Sequence, residues 1–169
     1  MALPRILKNF NVFYNGVSFA GQCTELGLPK LSRKTDSYRP GGVNGEIDID
    51  MGLDKLELDH TYAGFMRDIL NDFGSAKIDG AMLRFAGAYE HEDTGEIDAV
   101  EIVVRGRHKE IDFGNAKAGD KSEFKVKSSL TYYKLSINSS TVIEIDLLNM
   151  IENINGTDML AAQRKAVGL

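Results

Sequence analysis

Between Glu46 and Met51 acidic and apolar side chains alternate without a break: Glu46, Asp48 and Asp50 at even positions, Ile47, Ile49 and Met51 at odd ones. Successive side chains of a strand point to opposite faces, so this spacing predicts one apolar face and one row of negative charge. A segment this regular cannot be a helix, whose faces repeat every 3.6 residues. The carboxylate row must meet water, a partner or an internal cavity. Apolar parity then slips, because Leu53 is odd while Leu56 and Leu58 are even. A tight turn or bulge is predicted at Gly52–Lys55, where register has to change.

The same strand signal recurs along the chain. Phe10–Gly21 reads as a hairpin turning on Asn15-Gly16. Ala81, Leu83, Phe85 and Tyr89 share one parity and Val100, Ile102 and Val104 another, on either side of a turn at His91–Glu96. Ser122–Ile137 is a long strand region that turns at Asn138–Ser140 into Thr141–Leu147. Pro29–Gly45, with Pro40-Gly41-Gly42 and Asn44-Gly45, reads as a long loop. Thr61–Phe73 carries Tyr62, Phe65, Met66, Ile69, Leu70 and Phe73 at helical spacing before Gly74, which predicts a core-packed helix. A short terminal helix is expected over Thr157–Leu169, with Thr157 or Asp158 as N-cap and Gly168 as its stop. The expected fold is mainly β: an antiparallel sandwich or barrel with one packed α-helix and a short C-terminal helix.

At 169 residues the chain suits one domain, 1–169, with an extended loop at about 30–45. Its net charge of −5 disfavours a general nucleic-acid binder. A lone cysteine, Cys23, leaves no internal disulfide and no cysteine zinc cluster, and reads as a buried small residue. The opening MALPRILKNFNVFYN lacks an apolar signal core and no run reaches membrane-spanning length, so synthesis in the cytosol and no membrane partner are expected.

Catalytic patterns are missing. His60, His91 and His108 belong to no metal-binding motif, although strand alternation could bring His60 and His108 together. Asp48 and Asp50 could attract a divalent cation, but calcium prefers six or more oxygens in a loop. The glycine-rich stretch Gly41–Gly45 leads into a strand rather than a helix N-terminus. No enzyme, cofactor or metal is expected.

Charge is segregated. Residues 1–39 hold six basic side chains (Arg5, Lys8, Lys30, Arg33, Lys34, Arg39) against Glu25 and Asp36. Residues 43–60 hold six acids (Glu46, Asp48, Asp50, Asp54, Glu57, Asp59) against Lys55. Two solvated faces would account for this, as would complementarity between copies of the chain.

Read as words in order, the chain resembles a known family. They are Met1-Ala-Leu-Pro-Arg5, Asn11-Val-Phe13, Leu28–Lys34, Tyr38-Arg39 with Gly41–Gly45, Gly52-Leu53-Asp54, Arg84–Gly87 and Asp93–Glu96. Arg105–Asp112, Glu144–Asp146, Asn149–Ile151, Asn155-Gly156 and Gly168-Leu169 continue the series to the end. Together they resemble the major tail tube proteins of contractile-tailed bacteriophages. The resemblance implies a virion protein whose subunits form hexameric rings. Those rings would stack into a tube inside a contractile sheath, above a baseplate, and DNA would pass through without specific binding. A phage-tail-like bacteriocin or other contractile injection system is the alternative; a monomeric β-sandwich binding module is a second one.

On that reading Lys30, Arg33, Lys34, Arg39, Gly41 and Gly42 belong to an inter-ring assembly loop. Glu46, Asp48 and Asp50 are candidates for the lumen lining, and strands within 46–59, 97–108 and 122–137 for a shared inner barrel.

Overall fold

Antiparallel pairing of each strand with its neighbour organises most of the chain. A computed structural model describes residues 1–169. Strands β1 (Arg5–Tyr14), β2 (Val17–Ser18), β3 (Cys23–Gly27), β4 (Arg33–Tyr38), β5 (Ile47–Leu53) and β6 (Glu57–Tyr62) precede helix α1 (Arg67–Asn71). Then follow β7 (Ala81–His91), β8 (Ile97–Asp112), β9 (Phe124–Ile137), β10 (Ser140–Asp146), β11 (Ile151–Ile154), β12 (Thr157–Asp158) and α2 (Ala161–Ala166).

One sheet runs β12-β11-β10-β9-β8-β7-β1-β2, with β6 on β9 and β3 on β6. Strand β9 is its axis. One edge pairs with β8 along the strand; the other pairs first with β6 (Tyr62↔Phe124 to Glu57↔Ser129) and then with β10 (Asp146↔Tyr132 to Ser140↔Ile137). At the fork, Leu130 N–H donates to the Leu56 carbonyl and Leu147 N–H to the Thr131 carbonyl. The β8–β9 register shifts at Arg105/Gly106, where a Cβ on Gly106 would lie 2.0 Å from the Ser129 carbonyl oxygen. Only glycine allows the two backbones to approach this closely.

The fork bends β6 and β3 over the sheet and encloses the core. Alternate residues of five strands fill it: Val12 and Tyr14, Leu58 and Tyr62, Leu83 and Phe85, Ile102 and Val104, Phe124 and Val126. The mainly β, antiparallel expectation holds, as do the Asn15-Gly16 turn (both φ positive) and the Asn138–Ser139 turn. Neither helix is long and apolar enough to cross a membrane.

Three elements differ from the sequence expectation. Thr61 and Tyr62 finish β6, held by pairing to both β3 and β9, so the helix expected over Thr61–Phe73 shrinks to Arg67–Asn71. Met66 and Ile69 are buried, whereas Phe65 and Phe73 stand in solvent. Thr157 and Asp158 form β12 against β11 rather than opening the terminal helix. Asp158 still serves the helix end, its carboxylate accepting from Leu160 N–H and Arg164. Finally, the expected loop over Pro29–Gly45 contains a strand: Arg33–Tyr38 pairs with Ile47–Leu53. Its sequence RKTDSY has no apolar alternation, so the pairing partner, not its own pattern, makes it a strand.

Candidate assembly surfaces

Strands β4 and β5 form a separate two-stranded sheet, an arm whose residues from Arg33 to Met51 are almost all exposed. Register places Tyr38 opposite Ile47, Ser37 opposite Asp48, Asp36 opposite Ile49 and Thr35 opposite Asp50. Tyr38, Ile47, Ile49 and Met51 therefore share one face, on which Asp36 is the acid, and Thr35, Ser37, Asp48 and Asp50 share the other. The alternation is as read, but the apolar side chains do not enter this chain's core; they are 44–59% exposed. The segment 46–53 is accordingly no part of the sheet that contains β6, β8 and β9.

The parity slip has a structural cause. Between the Thr35↔Asp50 and Arg33↔Leu53 pairs β5 carries one residue more than β4, and Gly52 adopts φ +105°. That bulge turns Leu53 onto the face of Asp50, where it packs against the core. Asp50 stabilises the bend: one carboxylate oxygen accepts from Gly52 N–H at 2.8 Å. Its other oxygen accepts from Arg33 Nε and Nη2, both at 2.9 Å. Arg33 Nη1 reaches across to Glu152 of β11 at 2.6 Å. These hydrogen bonds hold Asp50 below the usual carboxylate range and raise Arg33.

The other sequence-chosen residues lie on the same arm. Lys34 and Arg39 are exposed and without an ion-pair partner, as is Lys30 just before it, while Arg39 donates to the Val43 carbonyl. Gly41 and Gly42 form its tip, Gly42 with φ +86°. Glu46 and Asp48 are exposed, so of the carboxylate row only Asp50 is ion-paired. Glu152 was not legible as part of this site, since 119 residues separate it from Arg33. Away from the arm, Phe65 and Phe113 are exposed aromatics packed edge-to-face at 5.5 Å, beside Phe124 of β9.

His60 and His108 do converge, their ring centroids 5.8 Å apart in the core. Both bond Ser128 Oγ, at 2.8 and 2.9 Å. Tyr62 closes the His60 end and Tyr14, bonded in turn to Asp72, the His108 end. Burial, with His108 nearby, pushes His60 down to about 3; burial also lowers His108, opposed by Asp72. Every polar group in this row has a partner and all but Asp72, at its half-buried end, are buried, which is the signature of a structural network rather than a catalytic one. Cys23 is half-buried, and burial raises its thiol to about 11, well outside the reactive range.

A bulge-hinged amphipathic arm thus projects from a forked antiparallel sheet. A family model for phage tail tube protein FII matches residues 4–168. The chain belongs to that family. The tail tube protein of Escherichia phage P2 is 43% identical over 172 residues and covers all of both chains. The major tail tube protein of Serratia phage KSP20 is 37% identical over 161 residues, covering 94% of this chain and 92% of its own. Solved structures share the fold at low identity. One is an extracellular contractile injection system (PVC) sheath/tube terminator in the extended state, with a TM-score of 0.61 at 13% identity, covering 79% of this chain and 96% of that one. Another is the anti-feeding prophage tube-terminating cap, with a TM-score of 0.60 at 12% identity over 80% and 93%. The tail tube family is structural, and the chain is a tail tube protein rather than an enzyme.

Proposed function

We propose that this tail tube protein closes into hexameric rings that stack as the inner tube of a contractile tail, the conduit for DNA during ejection. The observation that carries the reading is the β4–β5 arm, a two-stranded sheet with Tyr38, Ile47, Ile49 and Met51 uncovered. An isolated hairpin is marginal in water, and an apolar face on one needs cover. A second copy of the chain supplies it by a heterologous contact, which propagates instead of closing on itself. The arm, with Lys30, Arg33, Lys34, Arg39, Gly41 and Gly42, thus spans from one ring to the next. The long strands β8 and β9 with β6 are proposed for the barrel wall, where pairing across subunits removes free strand edges. Glu46, Asp48 and Asp50 are proposed to face the lumen.

Sheath and baseplate proteins are the further partners, the virion tail the location, and the host cytoplasm the place of synthesis. Full-length identity to two phage proteins favours a phage tail over a bacteriocin or secretion tube. Negative-stain microscopy of the purified protein tests the reading. Wild type should give rings or rods; Ile47→Asp with Ile49→Asp should give a folded chain by circular dichroism and no rods. Rods of normal length from the double variant would remove the arm from the stacking contact.

A further inference from the structure

Arg33 stands among the cations of the arm, yet its chemistry is already used within its own chain. All three guanidinium nitrogens are engaged, two by Asp50 and one by Glu152. Glu152 is held on β11 with only 16% of its side chain exposed. No other element packs extensively on β4 or β5, and no other ion pair joins the arm to the body. The root adds Leu53 against the core and the Asp54 N–H to Ser32 carbonyl bond. An isolated surface ion pair contributes little, but one guanidinium shared by two fixed carboxylates restricts direction as well as distance.

Arg33 lies on the polar face of the arm with Asp50, and it reaches back to β11. The polar face therefore turns toward the body at the root, and the Tyr38/Ile47/Ile49/Met51 face turns away from it.

We propose that Arg33 is a positioning residue: bridging Asp50 and Glu152, it latches the arm before assembly so that its apolar face is presented to a second copy of the chain. The inference rests on the reading of β4–β5 as the assembly arm. It assigns Arg33 a role distinct from Lys34 and Arg39, which have no such partner. A latched arm has its binding pose populated in advance, whereas a free arm must find it, and apparent affinity falls with the competent fraction. If release leaves the arm in that pose a tenth of the time, the critical concentration for assembly rises about ten-fold.

The test uses the full chain with Cys23→Ser and a fluorophore on Val43→Cys at the arm tip, below the assembly concentration. Arg33→Ala and Glu152→Gln should each lower the tip's steady-state anisotropy and raise the critical concentration about ten-fold, with unchanged circular dichroism. The re-paired variant R33E/D50N/E152R keeps an acceptor for Gly52 N–H and restores the bridge with its charges exchanged. It should recover both readouts. Unchanged anisotropy with lost assembly would make Arg33 a direct contact to the next copy and overturn the latch. Normal assembly by R33A, while the Ile47→Asp, Ile49→Asp chain fails, also overturns the latch but keeps the arm. Normal assembly by both would remove the arm reading itself.

Discussion

Ser128 has one hydroxyl proton, and that proton orders the two histidines in the core. A carboxylate only accepts, so Tyr14 donates to Asp72 and its oxygen accepts from His108 Nε2–H. His108 Nδ1 is then an acceptor and takes the Ser128 proton, which leaves Ser128 Oγ to accept from His60 Nε2–H. Tyr62 finally donates to His60 Nδ1. Every bond runs toward Asp72, and both imidazoles are neutral. A second proton on either ring would meet a donor or a desolvated site. Both histidines thus titrate lower folded than in the unfolded chain, where the ordinary value is about 6.5. Their contribution is complete above that value and is lost as pH falls toward the folded values, about 3 for His60. Between pH 7 and 5 stability should drop, with a limiting slope of about 1.4 kcal/mol per pH unit for each histidine. Urea midpoints across that window read the effect. His60→Gln should flatten the slope while lowering stability at pH 7, and a flat wild-type profile would rule the ordered network out.

Elements were legible wherever one strand carried its own period. Leu83 and Phe85, or Ile102 and Val104, alternate against solvent and are buried as their parity requires. Pattern failed where a neighbour decides. Thr61 and Tyr62 fit a helical stripe, but two strands bond their backbone; Arg33–Tyr38 has no stripe and is a strand because β5 lies beside it. The alternation at Glu46–Met51 is the strand it predicts, but parity alone does not specify that its apolar side chains stand exposed on a separate two-stranded sheet. The polar face of the arm carries the acidic row. Duplex DNA bears one negative charge per about 1.7 Å, and a basic channel would hold it by counterion release. An acidic lining repels it and leaves a water layer. Glu46 and Asp48 are the exposed unpaired carboxylates of the face, whereas Asp50 is needed by Arg33. Glu46→Lys with Asp48→Lys should preserve rods and slow DNA ejection from reconstituted particles. Ejection at the wild-type rate would place the row away from the lumen.

At the scale of the whole molecule, charge decides how copies meet. The chain is net −5, so identical subunits repel unless their charges are segregated. The segregation is on the arm: Lys30, Lys34 and Arg39 have no acidic partner in their own chain, and uncompensated acids follow from Glu46. We propose that these cations meet acids of the adjacent ring, adding rate and register to the apolar contact. The two contributions respond oppositely to salt. Screening shortens from about 10 Å at 0.1 M to about 3 Å at 1 M, which weakens exposed pairs, while apolar burial is not weakened by screening. Assembly followed by light scattering should therefore slow as sodium chloride rises over that range. Reversing Lys34 and Arg39 to Glu should cut the rate at least about ten-fold at low salt and remove its salt dependence. Arg33 is left intact in this variant, because its reversal would release the arm as well as change its charge. A rate insensitive to both salt and reversal would mean that the arm joins copies through its apolar face alone.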